Sequence, residues 1–303
     1  MKRIPWLAAL SLTCAWSFGQ IVRDRTFVGQ LAFYLPSAAV AVALAGLALL
    51  RLAYGRRREA GVWALIALLP LTWVLAVENR WTPPAAASPG MGRLRIVHWN
   101  VRHGWGWARI APDAVAARAD LYVFSEPPYA ARERDVARAR GFRGATLHLG
   151  EMAVLGRGTL GKPEWLAHDV LEAVLVPWRV DGATWKLLLV DLQSDIRIAR
   201  DPLLRRLRVL AERSGADVIL GDFNAPRRSS ALTPPPPGYV HAYDAAGSGW
   251  SATWPIPLPL WAIDQCLVGP RLQVVGYRLG FRRGSDHRMQ LVDLMPRYHE
   301  GTP

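Results

Sequence analysis

The sequence predicts a four-layer α/β sandwich, meaning two packed mixed β-sheets flanked by helices, that follows a strongly apolar N-terminal region. Two observations support this fold class. Residues 1 to about 80 consist mainly of three apolar stretches, whereas the rest of the 303-residue chain alternates short apolar runs with a few amphipathic segments. Many short strands with few helices are typical of two sheets with the helices outside. This second part, about 210 residues long, is large enough to bury its own core.

The three apolar stretches predict three transmembrane helices, at about residues 4–22, 31–50 and 60–77. Residues 31–50 carry no charge, and a helix over them would be about 30 Å long, which is the thickness of a bilayer core. The alternative is that the stretches form a buried core hairpin of a soluble protein. Three such stretches before a self-sufficient domain disfavour that alternative.

The first apolar stretch also has features of a signal peptide, because it lies near the start and follows Lys2 and Arg3. Against this, Trp16 and Phe18 are bulky, and no small-residue cleavage signal precedes Ile21. The sequence therefore favours three spanning helices, with a cleaved or interfacial first segment as the alternative.

Positive charges predict the orientation of these helices. Lys2 and Arg3, and again Arg56–Arg58, would be cytoplasmic if the chain starts inside and crosses three times. The expected protein is thus a multi-pass protein of the cell (inner) membrane with its soluble domain on the extracytoplasmic side. The predicted organisation is a membrane region at 1–81, a Pro/Ala/Ser/Gly-rich linker at 82–92 and the soluble domain at 93–303.

The soluble domain is predicted to consist of strands interrupted by three helices. Helices are predicted at Pro112–Arg118, Ala130–Arg140 and Asp201–Arg213, of which the last places four leucines on one side. The stretch Ser229–Leu260 contains two Pro-rich runs, Pro234–Pro237 and Trp254–Pro259, which cannot lie inside a sheet. The predicted strands are Arg93–Val101, Leu121–Ser125, Arg143–Leu149, Met152–Gly156, Val170–Val176, Trp185–Leu192, Asp217–Leu220, Ala262–Val268, Leu272–Leu279 and Met289–Leu294.

Polar side chains stand at the ends of five apolar runs in this domain. A strand delivers the side chain at its end to the edge of a sheet, so we expect these groups to converge. The five segments are Ile96–Asn100, Val123–Glu126, Gly221–Asn224, Ala262–Asp264 and Ser285–His287. Carboxylates collected in this way make a site for a hard divalent cation and a phosphate.

Glu126 and Asp222 both follow runs that are too apolar to leave a charge without a partner at low cost. A cation would balance these charges, and Mg²⁺ or Mn²⁺ suits oxygen ligands with several waters retained. Asn100 and Asn224 add neutral amides that can hold a ligand water or a phosphate oxygen. The pattern therefore indicates a metal-dependent phosphoesterase.

His287 is expected to carry the proton chemistry. Asp286 precedes it and Asp264 lies upstream, so that a carboxylate can fix the tautomer of the imidazole and stabilise its charged form. The other histidines, His98 among them, are interpreted as structural or surface residues.

In this order, the segments resemble the endonuclease/exonuclease/phosphatase superfamily and its membrane-anchored bacterial members. The resemblance covers about Leu94 to Leu294, and Gly221–Asn224 together with Ser285–His287 are its most specific motifs. It implies a divalent cation, Mg²⁺ or Mn²⁺, and a phosphoester substrate: nucleic acid, a phospholipid headgroup or a small phosphoester. No obligate protein partner is inferred, and the N-terminal helices would contact the lipid bilayer.

The resemblance also implies residue roles. Metal ligands would be Glu126, with Asn100 beside it in the first or second coordination shell, and Asp286, which is placed near the metal or the imidazole. The catalytic residues form a second group of four. Asp222 would activate the attacking water, Asn224 would hold a phosphate oxygen, His287 would assist proton transfer, and Asp264 would orient that histidine.

One position departs from the family pattern. After the strand that ends at Val190, many members have a histidine that contacts the phosphate, but this chain has Asp191. An anion there would repel the phosphate unless a cation lies between them. A second metal site, a phosphate contact from Arg197 or Arg200, or lost activity would each account for it. Trp254 is a further candidate for substrate binding, and a catalytically impaired, membrane-tethered binding module is the alternative function.

Composition excludes other classes of site. Cys14 lies in the first apolar stretch and Cys266 in a predicted core strand, so neither a disulfide framework nor a zinc site is available. The net charge of +13 would attract polyanions. Because nearly all the basic residues are arginines, compositional bias explains the charge equally well, and it does not select a substrate.

Overall fold

The computed structural model describes residues 4–82, 92–128, 130–142 and 146–297. An N-terminal helical region precedes a two-sheet sandwich. The helices are α1 (Ile4–Val22), α2 (Phe27–Phe33), α3 (Ser37–Ala53), α4 (Arg57–Trp73, continued by a π-helical turn at Val74–Glu78), α5 (Trp107–Ala117), α6 (Ala130–Ala139), α7 (Arg200–Ser214) and α8 (Ala242–Ala246). The strands are β1 (Leu94–Asn100), β2 (Leu121–Ser125), β3 (Thr146–Leu149), β4 (Met152–Gly156), β5 (Thr159–Leu160), β6 (Glu164–His168), β7 (Leu171–Val180), β8 (Ala183–Leu192), β9 (Val218–Asp222), β10 (Val240–His241), β11 (Asp264–Val268), β12 (Leu272–Gly280) and β13 (Met289–Pro296).

The strands form two mixed sheets, as the sequence predicts. The first sheet has the order β12-β13-β1-β2-β4-β3, and the second has the order β10-β11-β9-β8-β7-β5 with β6 added on β7. The pairs β1/β2 and β8/β9 are parallel, and their neighbours pair antiparallel. Each parallel pair brings the C-terminal ends of two strands to the same edge of its sheet.

The main core lies between the two sheets and is built from alternate strand residues of both. Val123 and Val292 of the first sheet and Leu189 and Leu220 of the second belong to this cluster and are fully buried. Helix α7 buries Leu204 against the outer face of the second sheet, and α5 packs on the first sheet. The order of layers is therefore helix, sheet, sheet, helix.

Helix α5 starts five residues earlier than predicted. The sequence places a helix at Pro112–Arg118 because proline favours a first turn, but the helix begins at Trp107 and includes Pro112 in its interior. The reason is packing, since Trp107, Ile110 and Ala114 all face the core of the first sheet.

The N-terminal region contains fewer uninterrupted long helices than expected. Among the described residues, Arg57–Glu78 is the one helix that is long and apolar enough to cross a membrane by itself. The predicted helix at 31–50 is interrupted, because α2 and α3 meet at an angle of 62°. Pro36 explains the break: it has no N–H to donate, and it disfavours helical backbone at the residue before it. Helix α1 coincides with the predicted segment 4–22, but its apolar part, Trp6–Val22, is shorter than a membrane-spanning helix requires.

The helical region packs directly on the sandwich. Asp24 accepts a hydrogen bond from the backbone N–H of Ser230 at 2.7 Å, and Asn79 accepts one from the N–H of Ser251 at 2.7 Å. The guanidinium of Arg227 donates to the carbonyl of Glu78 at 2.6 Å. Most of the predicted linker, residues 83–91, lies outside the described residues.

Candidate active site

The centre of the site is formed by two aspartates and a histidine from three separate segments. Asp222 ends β9, Asp264 begins β11, and the two face each other in the register of that strand pair. His287 comes from the loop before β13. Its Nδ1 lies 2.9 Å from Oδ2 of Asp264, and its Nε2 lies 3.9 Å from Oδ2 of Asp222. The imidazole therefore bridges two carboxylates, and all three residues are buried.

The loop that carries His287 is fixed to the first sheet. Ser285 donates to the carbonyl oxygen of Asn100 at 2.6 Å and accepts the N–H of His287 at 3.0 Å. The indole of Trp99 donates to the carbonyl of His287 at 3.0 Å. The serine of the Ser285–His287 motif is thus a structural link that holds the histidine at the junction of the two sheets.

Asn100 connects the two sheets at the level of the site. Its amide nitrogen lies 3.1 Å from Oε1 of Glu126 and 3.0 Å from Oδ2 of Asp222, and its amide oxygen accepts the N–H of Arg102 at 3.0 Å. In this orientation the amide neutralises part of the repulsion between two carboxylates. Asn100 therefore stands beside the expected metal ligand Glu126, with its nitrogen directed at the acids.

Glu126 is held in an uncommon backbone conformation. Its φ is +44°, a left-handed value that costs energy for a residue with a Cβ. Its N–H donates to the carbonyl of Glu151 at 2.9 Å, and its own carbonyl accepts the N–H of His103 at 2.7 Å. The side chain is 35% exposed, so the carboxylate is open to solvent on one side. This combination aims an accessible anion into the site.

Asn224 adopts a similar left-handed conformation, with φ of +42°. Its backbone N–H donates to Oδ1 of Asp222 at 2.9 Å, and its amide nitrogen donates to the carbonyl of Leu192 at 2.7 Å. The Asp222–Asn224 pair forms an Asx-turn directly after β9. The loop thus fixes one oxygen of Asp222 and leaves the other toward Asn100 and His287.

Charges in the site shift the pKa values of the bridging groups. Burial opposes protonation of His287, but the attraction of Asp264, hydrogen-bonded to it, outweighs burial and raises the pKa of His287 to about 9. Burial, aided by repulsion from Asp264, raises the pKa of Asp222 to about 7. The site therefore pairs a charged imidazole with a carboxyl group that changes protonation near neutral pH.

Asp191, the residue that departs from the family pattern, faces the same site. In the pairing of β8 with β9 it is the last paired residue of β8, and it lies opposite Asp222. Burial raises its pKa well above the usual value, with further contributions from the charges of Asp222 and Glu126. Asp191, Asp222 and Glu126 thus lie in one group of mutually repelling carboxylates, and the charged His287 lies 3.9 Å from Asp222.

The two arginines expected near Asp191 are engaged elsewhere. Arg197 forms an ion pair with Asp195 at 2.7 Å on the surface, where its side chain is 84% exposed. Arg200 is 1% exposed and donates from Nε to the carbonyl of Asn224 at 3.0 Å. Arg200 therefore lies beneath the Asn224 loop, where it holds the backbone rather than facing a substrate.

Asp286 and Trp254 lie together at the rim of the site. The indole of Trp254 donates to Oδ2 of Asp286 at 3.2 Å, and its ring centroid is 6.3 Å from that of His287. Asp286 also lines an open groove of about 540 Å³ that contains Arg102 and Arg109. A second groove, of about 580 Å³, runs past His103 on the side of Glu151.

The indole of Trp105 lines both of these grooves. It is 80% exposed, and the guanidinium of Arg102 lies 5.3 Å from the centre of its ring. A planar aromatic surface with an adjacent cation can stack on a base or another flat group.

The residues of the site fit a hard divalent cation. The group formed by Glu126, Asp222 and Asp191 offers only oxygen ligands, and the raised pKa values of Asp222 and Asp191 reflect burial and negative charge that a cation would offset. One atom each of Asp222, Asp264 and His287 also lies within 4.8 Å of the others. Within this trio, Asp264 and His287 already form a hydrogen bond with each other.

Three residues of the site were not singled out from the sequence. His98, interpreted there as structural or surface, is fully buried with Nδ1 3.7 Å from Oδ1 of Asp264, and burial lowers its pKa to about 4. A neutral imidazole there adds no charge to the Asp264–His287 pair. Gln30 and Tyr34, from the apolar N-terminal region, reach the loops around Asn224. Their only signal in the sequence is a polar group inside an apolar stretch.

Comparison with known proteins identifies a family and a shared fold. Residues 95–287 match the Endonuclease/Exonuclease/phosphatase family. A comparison with curated proteins finds no match. Among solved structures, an endonuclease/exonuclease/phosphatase family protein from Bacteroides thetaiotaomicron aligns at 14% identity with a TM-score of 0.51, covering 72% of this chain and 100% of the other.

Two further structures share the fold. TDP2 of D. rerio, complexed with a single-strand DNA product, aligns at 15% identity with a TM-score of 0.52 and covers 67% of this chain and 98% of its own. The human Nocturnin catalytic domain with a bound sulfate anion aligns at 15% identity with a TM-score of 0.52, covering 68% and 95%. At these identities the likeness concerns the fold.

Proposed function

Because the chain belongs to the endonuclease/exonuclease/phosphatase family, we propose that it is a membrane-anchored, divalent-metal-dependent phosphoesterase. The observation that carries the proposal is the arrangement of Asp222, His287 and Asp264 beside the partly exposed Glu126. An imidazolium and an acid of nearly neutral pKa, adjacent to oxygen ligands for a cation, are the groups that hydrolysis of a phosphoester requires.

The proton-handling residues have complementary roles. Asp264 fixes Nδ1 of His287, which leaves Nε2 directed toward Asp222 and the open site. Since its pKa is raised to about 9, His287 is charged at neutral pH and can stabilise a phosphoryl oxygen or donate a proton. Asp222, with a pKa near 7 that bound metal would lower, accepts the proton of the attacking water.

Glu126, with Asn100 beside it and Asp286 at the rim, would hold Mg²⁺ or Mn²⁺. Such an ion supplies Lewis-acid stabilisation of the phosphoryl oxygens. Asn224, fixed by its left-handed backbone and by its bond to Leu192, keeps Asp222 in place and presents its loop to the substrate. Asp191 contributes a further carboxylate to the same oxygen group, and this charge would repel a phosphate unless a cation lies between them.

The N-terminal region supports the membrane part of the proposal. Helices α1, α3 and α4 leave large apolar side chains exposed, among them Ile21 at 75%, Val42 at 72% and Leu65 at 70%. Exposed apolar surface on several helices at once is what a lipid environment requires. With Lys2, Arg3 and Arg56–Arg58 on the cytoplasmic side, the sandwich would lie outside the cytoplasm.

The grooves favour a substrate that is larger than a simple ester. Trp105 stands between two open grooves, and one of them contains Arg102 and Arg109. A nucleic acid fits such a surface best, because the ring can stack on a base and the arginines can contact phosphates. A phospholipid headgroup and a small phosphoester are the other substrates to be compared.

The experiment is hydrolysis of bis-p-nitrophenyl phosphate by the full chain in detergent with Mg²⁺ or Mn²⁺. Asp222→Ala and His287→Ala should each lower kcat by about 100-fold or more. Two exposed positions provide matched controls that should leave the rate unchanged: Asp135→Ala on α6 and His168→Gln on β6.

Equal rates for the wild type and both site variants would contradict the proposal. The chain would then be the alternative, a membrane-tethered binding module that keeps the fold, and Asp191 is the residue that favours that alternative. Binding of Mn²⁺ and of a phosphate-containing ligand without turnover would be its signature.

A further inference from the structure

The segment between α2 and α3 contacts the loop that carries Asn224. The hydroxyl of Tyr34 donates to the carbonyl oxygen of Asn224 at 2.7 Å, and Nε of Arg200 donates to the same oxygen at 3.0 Å. Two donors, one from the helical region and one from the sandwich, thus hold a single carbonyl. This carbonyl belongs to a residue whose N–H and side chain fix Asp222 and Leu192.

Gln30 holds the neighbouring segment from the same side. Its amide oxygen accepts the N–H of Arg200 at 2.7 Å, and its amide nitrogen donates to the carbonyls of Ile196 and Ile198 at 2.8 and 3.0 Å. Helix α7 begins at Arg200, and its N-cap residue Ala199 has no side chain able to cap it. Gln30 therefore supplies, from outside the sandwich, the acceptor that a helix N-terminus needs.

Gln30 makes these hydrogen bonds from a buried position. The side chain is 0% exposed, so its amide is removed from water and depends on these three partners. Tyr34 is anchored as well, because its carbonyl accepts the indole N–H of Trp261 at 2.9 Å. Gln30 and Tyr34 thus form a clamp, defined by these two residues, on the loops at 195–200, 224 and 261.

The clamp has a consequence for the site because Asn224 is strained. A left-handed backbone at a residue other than glycine persists when its surroundings determine it by several contacts. Removal of one donor from the carbonyl would let the loop relax, and Asp222 would lose the fixed N–H of Asn224. A misplacement of about 1 Å at a reacting group is costly for catalysis.

We propose that Gln30 and Tyr34 are positioning residues for the hydrolytic reaction, so that the N-terminal helical region completes the active site in addition to anchoring it. This inference rests on the proposed function. It implies that the sandwich without residues 4–82 contains an incompletely fixed Asn224 loop.

The test uses the full chain in detergent with Mn²⁺ and bis-p-nitrophenyl phosphate. Tyr34→Phe removes one hydroxyl and keeps the ring. It should lower kcat by about tenfold and change KM by less than about twofold, because a positioning contact acts on the transition state more than on binding. Tyr54→Phe is the matched control, since Tyr54 directly follows α3 and is 73% exposed. This variant should leave both constants unchanged.

Hydrogen–deuterium exchange gives a readout that is independent of turnover. Tyr34→Phe should speed exchange in peptides covering 192–200 and 222–232, whereas exchange in the rest of the sandwich should stay at the wild-type level. Tyr54→Phe should leave exchange at the wild-type level in all peptides. Unchanged exchange and an unchanged kcat would overturn the inference. A fall in kcat that follows a general loss of protection over the whole sandwich would also overturn it, since that describes instability.

The two proposals fail separately. An inactive wild type would defeat the proposed function, whereas the exchange experiment would still decide whether Tyr34 fixes the two loops. An active wild type with an unaffected Tyr34→Phe variant would keep the function and reject the clamp.

Discussion

Asp191 and Asp222 lie opposite each other on the parallel strands β8 and β9, at the end of the sheet where the active site forms. Burial raises the pKa of both carboxyl groups, and their mutual repulsion adds to the effect at Asp191. A protein keeps two buried acids near each other when a cation or a proton can neutralise them. The departure from the family pattern thus adds a further carboxylate beside Asp222.

Affinity for Mn²⁺ should rise with pH, because the ligands must lose protons before they bind metal. With a pKa near 7 for Asp222, affinity should increase about tenfold between pH 6 and pH 8. Titration calorimetry in buffers of different ionisation enthalpy would measure both affinity and proton release.

The variant Asp191→Asn separates the contributions of the two acids. Because the pKa of Asp191 is raised well above its usual value, Asp191 must also lose a proton before it binds metal. The asparagine variant should therefore release fewer protons on binding and show a flatter pH dependence, whereas Asp135→Ala should keep the pH dependence of the wild type. An affinity that is the same at pH 6 and pH 8 in the wild type would contradict the coupling of these groups to the metal.

The stability of the metal-free protein should fall in alkaline solution. His287 has a pKa of about 9 when folded and 6.5 as the reference value, so proton binding favours the folded state. Its contribution is complete below about pH 6.5 and is lost as the pH rises through 9. The loss is about 3 kcal/mol at most. Thermal unfolding in EDTA between pH 6.5 and pH 9.5 would measure it.

His287→Gln should remove most of this alkaline decrease, because glutamine has no proton to lose in this range. His168→Gln, at an exposed histidine, should retain the wild-type profile. The assignment of His287 as a charged group held by Asp264 is wrong if the glutamine variant at position 287 loses stability over this interval as steeply as the wild type.

Trp105→Ala should weaken binding of a nucleic-acid substrate and leave a small ester unaffected. Loss of a stacking surface costs about 1–3 kcal/mol per base, so KM for a single-stranded oligonucleotide should rise at least about fivefold. KM for bis-p-nitrophenyl phosphate should stay unchanged. Trp165→Ala is the control, since Trp165 lies on β6, is 39% exposed and lines neither groove. Equal KM values for the oligonucleotide with and without Trp105 would argue for another substrate.

The proposed topology predicts where the C-terminus lies. An alkaline phosphatase reporter fused after Pro303 should be active, because that enzyme folds only when exported. A cytoplasmic reporter such as green fluorescent protein at the same position should be dark if exported through the general secretory route. The reverse pattern would place the sandwich in the cytoplasm and contradict the orientation inferred from Arg56–Arg58.

The sequence was sufficient to predict the strands and site residues that depend on local hydrophobic pattern. Alternating and continuous apolar runs located β1, β2, β8 and β9, and the polar residues after them identified Asn100, Glu126 and Asp222. The prediction of two mixed sheets flanked by helices is confirmed. These features are predictable because a strand that ends at a sheet edge places its last polar side chain there, whatever the rest of the chain does.

Other features required the tertiary structure. The break between α2 and α3 follows from Pro36 and was visible in principle. The clamp, by contrast, joins Tyr34 to Asn224 across 190 residues and Gln30 to Arg200 across 170 residues. No periodicity encodes such a contact. The burial of His98 beside Asp264 is equally a result of packing between the two sheets.

The sequence by itself determined which polar groups stand at strand ends, and with them the class of chemistry. The packed chain alone decided their partners: Asp191 opposite Asp222, Asn100 between two carboxylates, and His287 between Asp222 and Asp264. The physical reason is that strand ends are set by local hydrophobic pattern, whereas hydrogen bonds and pKa shifts depend on distances of a few ångströms between segments that meet only when the two sheets and the N-terminal helices pack together.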